Sequence, residues 1–266
     1  MYISAKRNIL YLPATILFVL SGLPLFFILM AIPKKKYAEI HSAHQKNDMK
    51  NRMDDIGDFI SEGDHVLDVG CGNGQFGEAL ARKFKANVRG VDVINYANAD
   101  IPIDIFDGVK LPFKDKSFDV IVMAMMLHHV KHQEELIDEA IRCSRRALII
   151  YEDTYFSPWQ RLAIIWNDFY SNIVIGLVKI VKGLEGKAVL KMPLPFTFRS
   201  VAGWHELFEE KNLQQKDTIV HHLGLKPHSK VTFLLEKQVE TAVKRVNVFA
   251  EQEGENLELE RLPEPL

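Results

Sequence analysis

"LDVGCGNGQFG", residues 67–77, sets four glycines within eight positions between an apolar run and a helix-like stretch. Glycine lets the backbone turn sharply and approach a ligand without interference from a Cβ. The run before it, "HVLDVG" (65–70), reads as a buried strand and "GQFGEALARKF" (74–84) as the helix that follows. In an open α/β sheet, ligands bind at the carboxyl ends of strands, which is where this loop falls. Outward from the loop the pattern repeats. "NVRGVDV" (87–93), "SFDVIVMA" (117–124) and "RALIIYED" (146–153) read as further strands, and "QEELIDEAIRCS" (133–144) has helical spacing. Near-continuous apolar strands alternating with helices indicate a parallel sheet covered on both faces.

Beyond residue 153 the rhythm changes. "SPWQRLAIIWNDFYSNIVIGLVKIVKGL" (157–184) is a long apolar helical stretch opened by Pro158, and Pro193 and Pro195 close the insert. "SVAGWHELFEEKNL" (200–213) reads as a helix, and "KDTIVHHL" (216–223) with "KVTFLLEK" (230–237) as an antiparallel edge hairpin. The expected fold is α/β: a Rossmann-like, doubly wound, mostly parallel seven-stranded sheet with that hairpin at its edge. The expected division is an N-terminal anchor over 1–36, the main domain over 37–240 with a helical insert at 154–199, and an acidic, disordered tail over 241–266.

Residues 9–32 carry no charge. A helix of that length spans about 36 Å, enough to cross a hydrocarbon core of about 30 Å. Lys6 and Arg7 flank one end; Lys34, Lys35 and Lys36 flank the other, with Lys46, Lys50 and Arg52 beyond. The positive-inside rule then gives a single-pass membrane anchor with the following domain in the cytoplasm. A re-entrant or interfacial hairpin, favoured by Pro13 and Pro24, is the competing reading. A net charge of −2 gives no case for nucleic-acid binding, and two cysteines, Cys71 in the glycine motif and Cys143 in an expected helix, give no case for a disulfide framework.

An acidic residue at the end of the second strand, Asp92, would also suit a nicotinamide dinucleotide, but that fingerprint is G-x-G-x-x-G and here the run is G-C-G-N-G after Asp68. Together, "VLDVGCGNGQFG", "VRGVDV" and "DGVKLPFKDKSFDVIVMAMMLHHV" (107–130) resemble, in order, the motifs of the class I S-adenosylmethionine-dependent methyltransferases, particularly the type 11-like group acting on small molecules and lipids. The resemblance covers roughly residues 50–237. It implies S-adenosylmethionine as cofactor, with Asp68 ordering the loop and the methionine end, and Gly70, Cys71, Gly72 and Gly74 bringing backbone against it. It further implies Asp92 on the ribose hydroxyls, Asp107 and Gly108 at the adenine, and Met123 and Ala124 near the sulfonium.

Methyl transfer from a sulfonium needs alignment and exclusion of water above all, and a base only where the acceptor loses a proton. His128 and His129 follow the fourth strand and titrate in the useful range, so they are the candidate catalytic residues. Tyr151, Glu152 and Asp153 at the end of the fifth strand, Asp168 and Asn172 in the insert, and Arg199 before the next helix are candidate acceptor contacts. His41 and His44 have the spacing of a metal pair but no evident third ligand, and no metal is expected. The leading expectation is methyl transfer to a hydrophobic or lipid-like small molecule at the cytoplasmic membrane face. The alternatives are a tethered methyltransferase for a soluble metabolite or protein, and a non-catalytic cofactor-binding assembly factor.

Overall fold

The computed structural model describes residues 5–94, 99–186, 190, 193–222 and 228–238. The acidic tail at 241–266 lies outside the described residues. Seven strands form one sheet in the order β3-β2-β1-β4-β5-β7-β6. They are β1 (His65–Val69), β2 (Asn87–Asp92), β3 (Ile103–Ile105), β4 (Phe118–Ala124), β5 (Ser144–Thr154), β6 (Leu213–His222) and β7 (Ser229–Lys237). The first five pair in parallel, while β7 pairs antiparallel with both β5 and β6. This is the doubly wound sheet with an edge hairpin that the sequence predicts. The exception is β3, three residues flanked by Pro102, too short to carry a readable alternation.

Two apolar clusters fill the faces. One, around Leu67, Ile121, Leu148, Trp204 and Phe233, is covered by α5 (Gln133–Cys143) and α8 (Val201–Glu210). The other, around Ile56, Val66, Leu80, Val120 and Ile149, lies under α4 (Gln75–Phe84) and the end of α3 (Lys34–Ile56). The central strands are therefore buried on both sides, which is why they read as continuous apolar runs.

The N-terminal segment departs from a single straight helix. It divides at Ser21 into α1 (Ala5–Leu20) and α2 (Gly22–Ala31), and Pro33 turns the chain into α3. The insert is one rod made of α6 (Pro158–Phe169), a π-helical stretch (Tyr170–Ile175) and α7 (Gly176–Val181). Ser157 caps it, accepting from the Gln160 N–H, and Pro158 sits at the first turn, where its missing N–H costs nothing.

The two apolar segments dock side by side and run in the same direction. The Thr15 hydroxyl donates to the Trp159 carbonyl at 3.1 Å, the Tyr170 hydroxyl to Gly22 O at 2.7 Å, and the Lys182 ammonium to Met30 O at 3.2 Å. Gly22 permits the closest approach, since a Cβ there would lie 2.8 Å from the Trp166 ring. Helix α3 then returns from the far end of this pair. Lys34 bonds Gly183 O at 3.0 Å and Lys182 lies over the Tyr37 ring, whereas Asp48, fourteen residues on, reaches the sheet at Tyr151 and Lys230. Residues 12–31 and 158–181 are each long and apolar enough to cross a membrane. They are nevertheless packed against one another and followed by a charged helix that folds back.

Candidate active site

The loop after β1 carries three left-handed glycines at alternate positions, Gly70 (φ +69°), Gly72 (φ +58°) and Gly74 (φ +80°). Their demands differ. A Cβ on Gly70 would lie 2.8 Å from the Met126 Cβ, so this glycine is required by the loop after β4. Gly74 faces Ile103 and begins α4. The Gly72 N–H donates to Asp92 Oδ2 at 2.8 Å, and the Ile94 N–H to Asp92 Oδ1 at 3.2 Å, which ties the glycine turn to the end of β2. Cys71 turns its Sγ beneath the turn onto Gly90, and burial pushes its thiol up to about 12, so only its backbone faces outward chemistry.

Asp68 is buried, with Oδ2 lacking any partner among the described residues. Burial pushes its carboxyl up to about 7; Arg52 opposes the shift and Asp92 adds to it. A buried carboxyl with an unused oxygen beside an open glycine turn suits a ligand that brings its own ammonium group. Asp107 is exposed and caps a turn by accepting from the Val109 and Lys110 N–H groups, at 2.9 and 2.7 Å; those bonds hold its pKa below the usual carboxylate range. Gly108 follows with φ +87°. Met123 ends as a core side chain, fully buried, while Ala124 lies half-buried at the strand's end.

Sequence reading missed two residues here, Arg52 and Asp48. The Arg52 guanidinium lies 5.2 Å over the Phe76 ring and 5.1 Å over the Tyr151 ring, and pairs with Asp48. Asp48 also accepts from Lys230 at 2.8 Å and from the Tyr151 hydroxyl at 3.3 Å. Burial disfavours this carboxylate, but Arg52 and Lys230 outweigh it and hold its pKa well below the usual range. A depressed folded pKa stabilises the fold above the unfolded pKa of about 3.9, and that contribution fades as pH falls towards the folded value. The acid limb of the unfolding curve below about pH 4 should therefore be shallower in Asp48→Asn than in the wild type. Identical acid limbs would contradict the assignment.

At the ends of β4 and β5 a second group converges. Glu152 is buried and accepts three bonds: from the Met126 and Leu127 N–H groups to Oε1, at 2.9 and 2.7 Å, and from His128 Nδ1 to Oε2 at 2.6 Å. It shapes the loop and is committed to it. Opposite lies Asp168 of α6, its Oδ1 3.6 Å from His128 Nε2 and 3.9 Å from His129 Nε2. Asn172 donates to the same oxygen at 2.6 Å, across a single turn of the insert. Burial works against a charged His128, but Glu152 and then Asp168 prevail and push it up to about 10. Such a proton is held too tightly for His128 to act as a base at neutral pH. His129 differs: burial and the neighbouring His128 lower its pKa, and its Nδ1 donates to Pro193 O at 2.8 Å, leaving Nε2 with its lone pair.

The remaining candidates lie elsewhere. Tyr151 and Asp153 point to the opposite face of β5, Tyr151 into the Asp48 network and Asp153 towards His228 at 3.8 Å. Arg199 bonds Gln133 Oε1 at 3.0 Å and Glu134 at 2.5 Å, so it joins the turn before α8 to α5. His221 is paired with Asp55 at 2.7 Å, and His41 stacks on Tyr37.

Residues 67–149 match the family described as "Methyltransferase domain". The chain is 32% identical over 99 residues to the 27-O-demethylrifamycin SV methyltransferase of Amycolatopsis mediterranei, covering 32% of this chain and 36% of that one. It is 24% identical over 125 residues to a ubiquinone/menaquinone biosynthesis C-methyltransferase of Chromobacterium violaceum, covering 42% and 51%. The chain thus spans a third to a half of the length of these relatives. Among solved structures, geranyl diphosphate C-methyltransferase from Streptomyces coelicolor A3(2) superposes with a TM-score of 0.54 at 14% identity, over 79% of this chain and 87% of that one. Residues 67–149 thus match a methyltransferase domain, and the sheet order and glycine turn around them have the Rossmann-like fold of the solved methyltransferase.

Proposed function

We propose that this chain transfers a methyl group from S-adenosylmethionine to a hydrophobic, lipid-like acceptor at the cytoplasmic surface of a membrane. One observation carries the reading. The insert that roofs the ends of β4 and β5, through Asp168, is the same rod against which the apolar N-terminal helices dock. The roof of the acceptor site and the apolar surface are thus one structure. Leu17, Leu20, Leu23 and Phe27 on the N-terminal helices, and Leu162, Leu177 and Val181 on the insert, leave large apolar side chains exposed. Lys34, Lys35 and Lys36, also exposed, supply the positive charge that favours an anionic headgroup layer.

An in-plane cap suits this geometry better than a single span. Were α1 and α2 to cross the bilayer, α3 would carry Lys35, Lys36, Glu39 and Lys46 back through the hydrocarbon beside them, at a cost of several kcal/mol. In the cofactor site, Asp68 would meet the ammonium group, Asp92 the ribose hydroxyls and Arg52 the carboxylate of S-adenosylmethionine, while Asp107 would lie at the adenine. The cofactor supplies a methyl group on a sulfonium; the protein aligns the acceptor and keeps water out.

The test uses methyl-labelled S-adenosylmethionine, the full chain, and membranes or cytosol from a cell extract, followed by partition of the label. Label should appear in the organic phase and be lost with Gly72→Arg, whose long side chain would be forced into a left-handed turn beside Asp92. Label confined to the aqueous or protein fractions would overturn the lipid-like acceptor. No label in any fraction, with cofactor binding intact by calorimetry, would overturn the enzyme reading itself.

A further inference from the structure

The histidine pair after β4 and the aspartate of the insert have an arrangement that the methyl-transfer reading leaves unused. One ring nitrogen each of His128 and His129 and a carboxylate oxygen of Asp168 all lie within 4.8 Å of one another, and both Nε2 atoms face Asp168 Oδ1. Three ligands of a tetrahedral cation with bonds of about 2.0–2.1 Å sit about 3.3 Å apart, so the two histidine–aspartate distances of 3.6 and 3.9 Å need only sub-ångström closure.

We propose that His128, His129 and Asp168 bind one divalent transition-metal cation of the zinc type, joining the insert to the loop after β4. Three independent features support this. Each histidine gives its Nδ1 to an acceptor, Glu152 at 2.6 Å and the Pro193 carbonyl at 2.8 Å. Such bonds fix the tautomer and ring orientation that present Nε2 to a metal. His128 is held further by stacking on Phe198, at 4.8 Å and 14°. Second, Asp168 is buried, and its Oδ2 has no partner among the described residues, although Asn172 holds its Oδ1. A buried carboxylate oxygen left bare is costly, and a cation removes that cost. Third, the carboxylates of Glu152 and Asp168 are both buried, and their ion-pair partners among the described residues are the two histidines alone. Two carboxylates thus face one protonated imidazole, so the cluster is short of one positive charge, and a cation bound at His128 Nε2 would displace the proton there.

The donor set, two imidazoles and one carboxylate, selects zinc, iron(II), cobalt(II) or nickel(II) over magnesium or calcium. Three protein ligands leave at least one position open, at the sheet edge where the acceptor is proposed to lie. Ligation withdraws the His129 lone pair, so a loaded enzyme would not use that residue as a base.

Metal binding is measurable without any acceptor or cofactor, so its outcome is separate from the proposed methyl transfer. The full chain, stripped with a chelator and dialysed, is titrated with Zn2+ by calorimetry and with Co2+ by visible absorption. One equivalent should bind with a Kd at or below the micromolar range, and Co2+ should give the absorption of a four- or five-coordinate site. His129→Gln and Asp168→Asn should each weaken binding by about 100-fold or more, whereas His132→Gln, a nearby exposed histidine outside the cluster, should not. Circular dichroism of each variant shows whether it is folded, and His129, the most exposed ligand, provides the variant least prone to unfold. The proposal fails if the wild type binds no Zn2+ above the buffer background. It fails equally if folded His129→Gln and Asp168→Asn proteins retain wild-type affinity, or if Mg2+ competes with Zn2+ at similar concentration.

Discussion

Replacing Glu152 with alanine should destabilise the protein by roughly 3–5 kcal/mol, the range found when one partner of a buried charged pair is removed. Glu152 is 1% exposed and serves three donors at once: two successive backbone N–H groups, of Met126 and Leu127, and the His128 ring. Removing the carboxylate strands all three in a site closed to water, and each lost bond leaves its own desolvation penalty. For a domain of this size the expected fall in Tm is on the order of 2–4 °C for each kcal/mol. Glu152→Gln separates the contributions. Its amide oxygen can still accept from the backbone, but it no longer pairs with a charged His128, so its loss should fall between wild type and alanine. Thermal and urea unfolding of the three proteins measure this, and an alanine variant within about 0.5 kcal/mol of wild type would overturn the anchoring role.

The second large effect is expected at Gly70→Val. With φ +69°, a β-branched residue is strained by about 1–2 kcal/mol. Its Cβ would also meet the Met126 Cβ at 2.8 Å and Cγ at 2.9 Å, and overpacking of that kind costs about 1–3 kcal/mol more. The damage should reach function through geometry, because Met126 lies next to the two residues that frame the site, Leu127 and His128. Relief requires either the glycine turn or the loop after β4 to move. Calorimetry with S-adenosylhomocysteine should show at least about a tenfold loss of affinity in the variant protein that remains folded, with Gly70→Ala intermediate. Unchanged affinity and stability in Gly70→Val would mean that the turn tolerates a side chain and that its glycine serves neither contact.

These two positions show how differently the sequence and the structure speak. The glycine turn was legible because its signal is local: a strand, a run of glycines and a helix are adjacent in the chain, and each has its own periodicity or backbone preference. The same holds for β1, β2, β4 and β5, whose continuous apolar runs follow from burial on both faces, and for the edge hairpin. Reading the turn did not reveal why Gly70 must be glycine. That reason lies in Met126, 56 positions away, and no local pattern records it.

Sequence alone therefore determined the sheet apart from β3, the cofactor class that its motifs imply, and the existence of an apolar N-terminus and an apolar insert. Tertiary structure decided what those parts do to one another. It docked the N-terminal helices on the insert through Gly22 and Tyr170, brought Arg52 and Asp48 of α3 to Tyr151, and committed Glu152 to the loop after β4. It also set Asp168 against His128 and His129, across some forty residues of chain. The physical reason is the range of the interactions. Backbone propensity and apolar periodicity act over a few residues and are written in order along the chain. Pairing of buried charges, by contrast, depends on which elements the packed core brings within a few ångströms.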